Sequence, residues 1–316
     1  MGCCDGECLD LMSDAENCGS CGHDCHAAPC EGGNCALVTL ADELLKPTFI
    51  AVDGTHVYWT AYTANSISKV PLDGGPITVL ADGQVGPQGI AVGNGEVFWT
   101  TSVASAVLKV PIGGGTPIEL YSEGPGAYDI VVNTEHIYFT FLHFGTHSVL
   151  RMPVLGGATA DVTSNLGTPK RLAVDAASLY WTDSDSHTVM KMPLGGGPAV
   201  ELASGQFPGA IAVDGTHIYW LDGTVSRVPI NGGETTIVAD VGSLAKDLAL
   251  DDTHVYFTAS GDSVWKVSKD GGEPISLAEE QNTPSQITVD ATHVYWSNAG
   301  TVGDDVADGA IMKVAK

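Results

Sequence analysis

The chain has 316 residues, of which 13 are Lys or Arg and 38 are Asp or Glu, giving a formal net charge of −25. This acidic balance argues against nucleic acid or an anionic membrane as a partner, because both carry charge of the same sign. No apolar run is as long as the roughly 18 residues that a membrane-spanning helix needs, so we expect no membrane span.

All eight cysteines lie near the N-terminus, at positions 3, 4, 8, 18, 21, 25, 30 and 35. An even number of cysteines in a short segment rich in Gly, Asp and Asn predicts a disulfide-bonded module, which we place at residues 1–31. The spacing does not select among the 105 pairings that eight cysteines allow. The alternative is a zinc site, because Cys18 and Cys21 form a CxxC motif with His23 and His26 nearby.

A disulfide module also predicts where the protein acts. Disulfides persist in oxidising compartments, so we expect an extracellular, periplasmic or cell-surface protein whose leader has been removed. Gly2 and Cys3 also match the end of a lipoprotein cleavage site, which makes a lipid anchor at the N-terminus an alternative. Residues 17–25, NCGSCGHDC, resemble the short NCGxCGxxC modules of secreted bacterial proteins.

From about residue 40 onward the sequence repeats one unit seven times. The pattern Val-Asp-Gly-Thr-His-Val-Tyr-Trp starts at Val52 and returns with substitutions at Val92, Val132, Val174, Val213, Leu250 and Val289. These starts are 40, 40, 42, 39, 37 and 39 residues apart. A period of about 40 residues with strand-like content is typical of a propeller blade.

Each unit predicts four short strands, because runs rich in Val, Ile, Tyr, Trp and Thr alternate with Asp-Gly, Asn-Gly and Gly-Gly turns. In the first unit the predicted strands a to d span residues 50–52, 56–60, 66–70 and 77–81. No long segment has the 3.6-residue period of a helix. The sequence therefore predicts an all-β fold, a seven-bladed β-propeller of four-stranded blades.

The two ends of the chain predict how the propeller closes. The seventh unit contains strands a, b and c and reaches Lys316 without a strand d. Residues 32–41 match the Gly-Gly turn and strand d of the first unit at residues 74–81. We therefore expect residues 32–316 to form the propeller, with residues 32–41 supplying the outer strand of the last blade in a three-plus-one closure.

Short aromatic motifs end the second predicted strand of several units. Residues 180–183 are YWTD, and the related sequences YWTA, YWLD, YFTA and YWSN begin at Tyr58, Tyr219, Tyr256 and Tyr295. On these motifs, residues 36–316 resemble the YWTD-type propellers of low-density-lipoprotein-receptor-like proteins. The resemblance implies an extracellular binding platform, although that family typically has six blades and this chain has seven units.

The seven units form an internal alignment that separates repeated scaffold positions from unique residues. Five histidines share one position in the turn between strands a and b, where we expect them to fix the turn through backbone bonds: His56, His136, His217, His254 and His293. Seven cations share one position in strand c, where we expect them to lie between blades: Lys69, Lys109, Arg151, Lys191, Arg227, Lys266 and Lys313.

The unique polar residues concentrate in connections on one face. In a propeller the d-to-a and b-to-c connections share the top face, where ligands usually bind, whereas the a-to-b and c-to-d turns lie on the bottom. Most of these residues belong to blades 3 and 4, and we predict the following ligand-binding set: Tyr128, Asp129, His143, His147, Lys170, Arg171, Asp183, Asp185, His187 and Lys246. Such groups suit a polar binding or acid–base site, and the alternative is that they are simply solvated loop residues.

Two metal sites are considered beside this set. The b-to-c connection of the seventh unit carries Asp304, Asp305 and Asp308, which predict either a calcium site or an acidic loop without an ion. The three unique histidines His143, His147 and His187 are the alternative, as ligands of a transition metal. No other cofactor is predicted.

Three functions follow as hypotheses. The leading one is a secreted or surface-attached binding propeller whose top face engages a protein, a glycan or a small anionic ligand through Lys170, Arg171 and Lys246. The second is a lyase or hydrolase that uses the histidines of blades 3 and 4 for proton transfer. The third is metal binding. The chain has no nucleophile elbow, phosphate loop, HExxH motif or dinucleotide fingerprint to favour the enzyme hypothesis.

Overall fold

The computed structural model is a seven-bladed β-propeller, and the residues that it describes contain no helix. It describes all residues except 1, 5–6, 22, 27, 105, 123–125, 144–145, 205–206, 243–244, 260 and 302–305, and no side chain at 2–4, 7–9, 143, 146 and 165. Each blade is a four-stranded antiparallel sheet, which confirms the predicted fold class. The described part of the chain accordingly has no helix that could cross a membrane.

Two short hairpins precede the propeller. The first pairs β1 (Gly2–Cys4) with β2 (Glu7–Leu9), and the second pairs β3 (Cys30–Glu31) with β4 (Asn34–Cys35). The following strand, β5 (Val38–Leu44), leaves this region and enters the propeller.

Blades 1 to 4 follow in chain order, each with strands a to d arranged from the axis outward. Blade 1 contains β6 (Pro47–Val52), β7 (His56–Ala61), β8 (Ser66–Pro71) and β9 (Thr78–Ala81). Blade 2 contains β10 (Pro87–Gly93), β11 (Glu96–Thr101), β12 (Val107–Pro111) and β13 (Ile118–Tyr121). Blade 3 contains β14 (Ala127–Val132), β15 (His136–His143), β16 (Thr146–Pro153) and β17 (Ala160–Leu166). Blade 4 contains β18 (Pro169–Val174), β19 (Ser178–Asp183), β20 (Thr188–Pro193) and β21 (Val200–Ser204).

Blades 5 and 6 repeat this order, and blade 7 completes it with a strand from the other end of the chain. Blade 5 contains β22 (Ile211–Val213), β23 (His217–Leu221), β24 (Thr224–Pro229) and β25 (Thr236–Asp240). Blade 6 contains β26 (Ala245–Leu250), β27 (His254–Ala259), β28 (Ser263–Ser268) and β29 (Ile275–Ala278). Blade 7 contains β30 (Pro284–Val289), β31 (His293–Asn298), β32 (Gly309–Ala315) and β5.

The pairing of β5 with β32 confirms the predicted three-plus-one closure. The closing strand begins at Val38, and not at residue 32 as the sequence predicted, because residues 30–35 turn back in the hairpin β3–β4. It also runs beyond residue 41 and places Leu44 opposite Gly309. The boundary at residue 31 between module and propeller stays a prediction.

The innermost strands surround the propeller axis. Strands β6, β10, β14, β18, β22, β26 and β30 each contact the next, and β30 contacts β6. Behind them, strand b of each blade is almost entirely buried, and its large aromatic side chains fill the space between blades, as Tyr58, Trp59, Phe98 and Trp99 do. Burial of such apolar surface is the main driving force of the fold.

The repeated turn between strands a and b is fixed by its aspartate, and not by its histidine as the sequence predicted. In blade 1, Asp53 Oδ1 accepts the backbone N–H of Thr55 at 2.7 Å and of His56 at 2.8 Å. Asp53 Oδ2 accepts the hydroxyl of Tyr58 at 2.8 Å. The imidazole of His56 instead bonds through Nδ1 to the Thr55 hydroxyl and packs near the Tyr58 ring. Because the carboxylate has two oxygens, it accepts bonds from the turn backbone and from the tyrosine of strand b at the same time.

The repeated cations of strand c lie between blades as predicted. Lys69 Nζ donates to the carbonyl of Ile112 in the next blade at 2.6 Å, and Lys313 Nζ donates to Leu72 at 2.7 Å. The same kind of bond is made by Lys109, Arg151, Lys191 and Arg227. Because Lys313 belongs to blade 7 and Leu72 to blade 1, these bonds continue across the closure.

Disulfides hold the described part of the N-terminal module. They include Cys18–Cys30 and Cys25–Cys35, Cys21 is also disulfide-bonded, and no cysteine among the described residues is a free thiol. Three sulfurs that lie close enough to hold an ion, those of Cys18, Cys25 and Cys35, are therefore already bonded and unsuited to the zinc alternative.

The module packs against the bottom of blade 7. His23 Nε2 lies 2.9 Å from the carbonyl of Lys316, and the His26 ring lies 5.4 Å from the ring of His293 in the a-to-b turn. The disulfide sulfurs join a buried cluster that includes Trp296 and Val314. The described module therefore lies on the face opposite the b-to-c connections.

Candidate functional site

One position of the innermost strand varies between blades although the residue that follows it repeats. It immediately precedes the repeated Ile or Leu, at the top end of the strand, and is occupied by Phe49, Gly89, Asp129, Arg171, Ala210, Asp247 and Gln286. Because the innermost strands form a closed ring, these seven residues encircle the axis at one level. Four of them, Phe49, Asp129, Arg171 and Asp247, are called the channel cluster below.

Arg171 is the centre of the channel cluster. Its guanidinium lies 3.4 Å from Asp129 Oδ1 in blade 3, and its side chain is only 15% exposed. The same guanidinium lies over the ring of Phe49, 4.6 Å from the ring centroid. Blades 4 and 1 are on opposite sides of the propeller, so Arg171 reaches across the axis. This arrangement combines an ion pair with a cation–π contact in a buried place.

Two buried carboxylates share this single guanidinium. Asp129 Oδ2 also accepts the backbone N–H of Leu172 at 2.7 Å, and Asp247 Oδ2 accepts that of Ile287 at 3.0 Å. Burial raises the pKa of Asp129, and it raises the pKa of Asp247 to about 6 although Arg171 opposes the shift. Burial lowers the pKa of Arg171, but the nearby carboxylates outweigh this effect and the pKa lies above its ordinary value. The carboxylates therefore keep Arg171 charged.

The residues one step closer to the top form the mouth of the channel. They are Thr48, Gln88, Tyr128, Lys170, Gly209, Lys246 and Ser285. Lys170 of blade 4 and Lys246 of blade 6 lie on either side of Gly209 of blade 5, which has no side chain. These three residues are called the cationic notch below. Among the described residues, a β-carbon at Gly209 would meet the carbonyl of Leu221 at 3.5 Å and no other atom within 4 Å.

The two lysines of the cationic notch differ in environment. Lys170 is exposed, whereas Lys246 is half-buried and donates from Nζ to the carbonyl of Pro284 at 2.9 Å. Burial lowers the pKa of Lys246, and Asp262 opposes this shift. Tyr128 lies half-buried at the same level, edge-on to Phe49 at 5.7 Å. The mouth thus combines two ammonium groups with a polar aromatic ring.

The unique histidines are engaged separately. His147 Nδ1 donates to the carbonyl of Gly167, and the His187 ring packs edge-on against Phe207 with the centroids 4.1 Å apart. The side chain of His143 lies outside the described residues. The three-imidazole metal site stays a prediction.

The two aspartates of blade 4 tie neighbouring connections together. Asp183 is buried, and its Oδ1 accepts the backbone N–H of Thr168 at 2.9 Å and of Ser186 at 3.0 Å. Asp185 Oδ2 accepts the Thr168 hydroxyl at 2.6 Å. These bonds join the b-to-c connection to the d-to-a connection. Asp183 and Asp185 therefore stabilise the top face, and their carboxylates are engaged in these bonds.

The acidic connection of blade 7 is only partly described. Asp304 and Asp305 lie outside the described residues. Asp308 Oδ1 accepts the backbone N–H of Thr301 at 2.9 Å, and its Oδ2 accepts the hydroxyl of the same residue. Hydrogen bonding to Thr301 holds the pKa of Asp308 below its ordinary value. The calcium site stays a prediction. Both carboxylate oxygens of Asp308 accept bonds from Thr301 of the same connection.

Of the predicted set, Tyr128, Asp129 and Arg171 lie together with Phe49, and Lys170 and Lys246 occupy the innermost-strand positions of blades 4 and 6. Sequence reasoning missed Phe49 and Asp247, which complete the channel cluster. The internal alignment contained the signal, since both residues occupy the position of Asp129 and Arg171 in their own blades.

Comparison with known proteins supports the fold. No protein-family model and no curated protein matches the chain. A virginiamycin B lyase from Staphylococcus aureus is similar with a TM-score of 0.75 and 16% identity, covering 89% of this chain and 98% of that one. A gluconolactonase from Xanthomonas campestris has a TM-score of 0.56 and 20% identity, covering 73% of this chain and 89% of that one.

A binding protein appears beside these enzymes. A chain of a nidogen/laminin complex is similar with a TM-score of 0.54 and 24% identity, covering 60% of this chain and 80% of that one. Propellers with this shape thus include both enzymes and a protein found in a complex, and shape alone does not assign an activity. At these identities the likenesses establish that the chain has a β-propeller fold, and its classification as YWTD-type stays a prediction.

Proposed function

We propose that this protein is a binding propeller that holds a carboxylate, phosphate or sulfate group of its ligand at the top mouth of the channel. The observation that carries the proposal is the cationic notch, in which Lys170 and Lys246 occupy equivalent positions on either side of Gly209. The chain has only 13 basic residues, and six of the repeated ones are bonded to carbonyls between blades. In the notch, Lys170 is exposed, whereas Lys246 makes one such bond, to the carbonyl of Pro284 in blade 7.

The charges at the mouth favour an anion in spite of the acidic chain. Lys170 and Lys246 supply two positive groups at the mouth, with Asp262 near Lys246, while Arg171 lies below them beside the buried carboxylates of Asp129 and Asp247. Desolvated ammonium groups bind anionic oxygens more strongly than exposed ones do, and Lys246 is already half-buried. His147 and His187 are engaged with Gly167 and Phe207, so the contacts favour binding over proton transfer as the role of the top face.

The position of the disulfide module suits a surface role. The module contacts the bottom of blade 7 through His23 and His26, which leaves the channel mouth on the opposite face. We propose that the protein is secreted or attached to a cell surface from below, with the mouth turned outward. The anionic group would then belong to a partner protein, a glycan or a small molecule outside the cell.

A thermal-shift screen tests the proposal. Wild-type protein is heated with a panel of carboxylates, phosphates, sulfates and sulfated or uronic-acid oligosaccharides, because a ligand that binds only the folded state raises Tm. The double variant Lys170→Ala/Lys246→Ala should lose the shift of any hit. Gly209→Leu should also lose it, because the leucine fills the notch and leaves both charges in place. Lys46→Ala, which removes a cation in another top connection, should keep the shift.

Two results would contradict the proposal. A hit that stabilises the double variant and wild type equally would place the site elsewhere. Equal loss of the shift in Lys46→Ala and in the double variant would show that the effect depends on overall charge and not on the notch.

A further inference from the structure

A cavity lies on the bottom face, between blades 3 and 4, and is separate from the proposed binding site at the channel mouth. Its volume is about 650 Å³, and its lining includes Asn133, Glu135, His136, Tyr138, Asp175 and Leu194. The residues belong to the a-to-b turns of both blades and to the c-to-d turn of blade 4. This bottom cleft combines an aromatic ring, carboxylates and apolar side chains.

Two other junctions show what an equivalent place can hold. Between blades 5 and 6, Lys269 lies over the ring of Tyr219, 5.2 Å from the centroid, and its Nζ is 2.7 Å from a carboxylate oxygen of Asp214. Between blades 6 and 7, Lys316 lies 5.5 Å over Tyr256 and 3.0 Å from Asp251. In both junctions the chain's own ammonium group occupies the space between a turn carboxylate and the tyrosine ring.

The junction of blades 3 and 4 keeps this framework without the lysine. Arg151 Nη1 donates to the carbonyl of Leu194 at 3.3 Å, as Arg227 Nη1 does to that of Lys269 at 2.7 Å. The backbone position is therefore the same, but Leu194 carries a short aliphatic side chain. Tyr138 is the counterpart of Tyr219, since each is the tyrosine of strand b.

The carboxylates at the bottom cleft occupy different sequence positions from that of Asp214 in blade 5. Asn133 stands where blade 5 has Asp214, and its Oδ1 accepts the backbone N–H groups of Glu135 and His136. Glu135 stands where blade 5 has a threonine, and its side chain is 81% exposed, so its carboxylate is accessible from the cleft. Asp175 lines the other side, with its carboxylate bonded to the Tyr180 hydroxyl and the turn backbone.

We propose that the bottom cleft binds a lysine side chain of a partner polypeptide. The ammonium group takes the place over Tyr138 that Lys269 takes over Tyr219, within reach of Glu135 and Asp175. The methylene stem packs against the apolar lining, which includes Leu194. Cation–π attraction and charge pairs with Glu135 and Asp175 supply the affinity, and the net charge of −25 draws basic segments toward the protein.

Peptide binding tests this directly. Binding of acetyl-Gly-Lys-Gly amide to the full chain is followed by ligand-observed NMR, with the Nε-acetylated peptide as the neutral counterpart. The lysine peptide should bind, the acetylated peptide should bind at least about tenfold more weakly, and n-butylamine should displace the lysine peptide. Displacement separates recognition of the ammonium group from recognition of the peptide backbone, and a peptide that n-butylamine does not displace would overturn the proposal.

The most informative variant places a lysine of the chain itself in the cleft. Leu194→Lys copies the arrangement of Lys269 and should weaken binding of the lysine peptide by about tenfold or more. Leu72→Lys makes the same change at the equivalent position between blades 7 and 1 and should alter binding by less than about twofold. Glu135→Gln changes only an exposed side chain, so it should fold normally and weaken binding by about threefold. Equal effects of Leu194→Lys and Leu72→Lys, or wild-type binding by both Leu194→Lys and Glu135→Gln, would overturn the proposal.

Discussion

A hydroxyl near the end of strand b links neighbouring blades. Thr100 Oγ1 donates to the carbonyl of Tyr128 in the next blade at 2.6 Å, and Thr182 Oγ1 donates to Gly209 at 2.8 Å. Ser297 Oγ makes the corresponding bond to Thr48, from blade 7 to blade 1. In blades 1 and 3 the strand register shifts where Thr48 and Tyr128 lie, and these hydroxyls bond the carbonyls there.

The tryptophan of the same motif gives a prediction for a single residue. Trp99 Nε1 donates to Gln84 and Trp296 Nε1 donates to Gln281, each 15 residues earlier in the chain. In blade 4 that place is taken by Leu166, and the buried Nε1 of Trp181 has no hydrogen-bond partner among the described residues. Leu166→Gln should supply the acceptor and raise the free energy of unfolding by about 1 kcal/mol.

Chemical denaturation of a double-mutant cycle measures this effect. In the background of Trp181→Phe, which has no N–H to satisfy, Leu166→Gln should lose its benefit. A Leu166→Gln protein that is less stable than wild type, by the same amount in both backgrounds, would show that no acceptor is missing.

The channel cluster gives a prediction about pH. Burial raises the pKa of Asp247 in the folded protein to about 6, from an ordinary value of 3.8, so the folded state binds this proton more tightly than the unfolded chain. The contribution of Asp247 to stability is therefore fully present below about pH 4 and is lost as pH rises through about 6. Asp247→Asn should be more stable than wild type at pH 7.5, by up to about 3 kcal/mol, and similar to it at pH 4.

Unfolding measured across this pH range checks the sign. Asp42→Asn, at an exposed position, is the control for a change of net charge. A variant Asp247→Asn that is less stable than wild type at pH 7.5 would mean that the ionised carboxylate is needed to hold Arg171.

At the scale of elements, strand β5 carries the closure. It pairs with β32, and its Leu40 and Ala41 are buried in the cluster shared by blades 7 and 1. Removing residues 1–44 should expose the edge of β32 and lower the free energy of unfolding by several kcal/mol, on the order of 3 to 5, because a paired strand and two core side chains are lost.

The matched truncation removes residues 1–36 and keeps β5. It loses the module's contacts with blade 7, including the bond of His23 to Lys316, and should cost clearly less than the longer truncation. Urea denaturation of the two proteins and the full chain compares them. Equal stability of the two truncated forms would contradict the role assigned to β5.

The sequence predicted the blades well because every blade buries the same residues at the same places, so the repeat reports the packing directly. It misplaced the start of the closing strand because Gly32 and Gly33 look like the Gly-Gly turns of the other blades. At Gly32 and Gly33 the disulfides of Cys30 and Cys35 favour a separate hairpin. The local sequence pattern does not indicate this hairpin.

The site was predicted only in part for a similar reason. Position in the repeat identified Lys170, Arg171 and Lys246 at the top of the innermost strands. The contact of Arg171 with Phe49 crosses the axis between distant blades, and a linear repeat contains no information on which opposite side chains meet. Loop spacing was the only guide to the unique histidines, and a sequence does not show side-chain partners such as the Phe207 ring beside His187.

At the scale of the whole molecule, the two faces carry different features. The bottom holds the disulfide module against blade 7 and contains the cleft between blades 3 and 4. The top presents the channel mouth above the channel cluster, which closes the axis with buried charges. A ligand at the mouth would contact blades 4, 5 and 6. The described contacts of the disulfide module lie on the bottom face.

The most direct test of the account is a crystal structure of the protein with the anion that gives the largest thermal shift. The account predicts density above Gly209, with anionic oxygens about 3 Å from the Nζ atoms of Lys170 and Lys246. Density for the same anion beside His147 or His187 in the b-to-c connections, or on the bottom face, with the cationic notch empty, would contradict it.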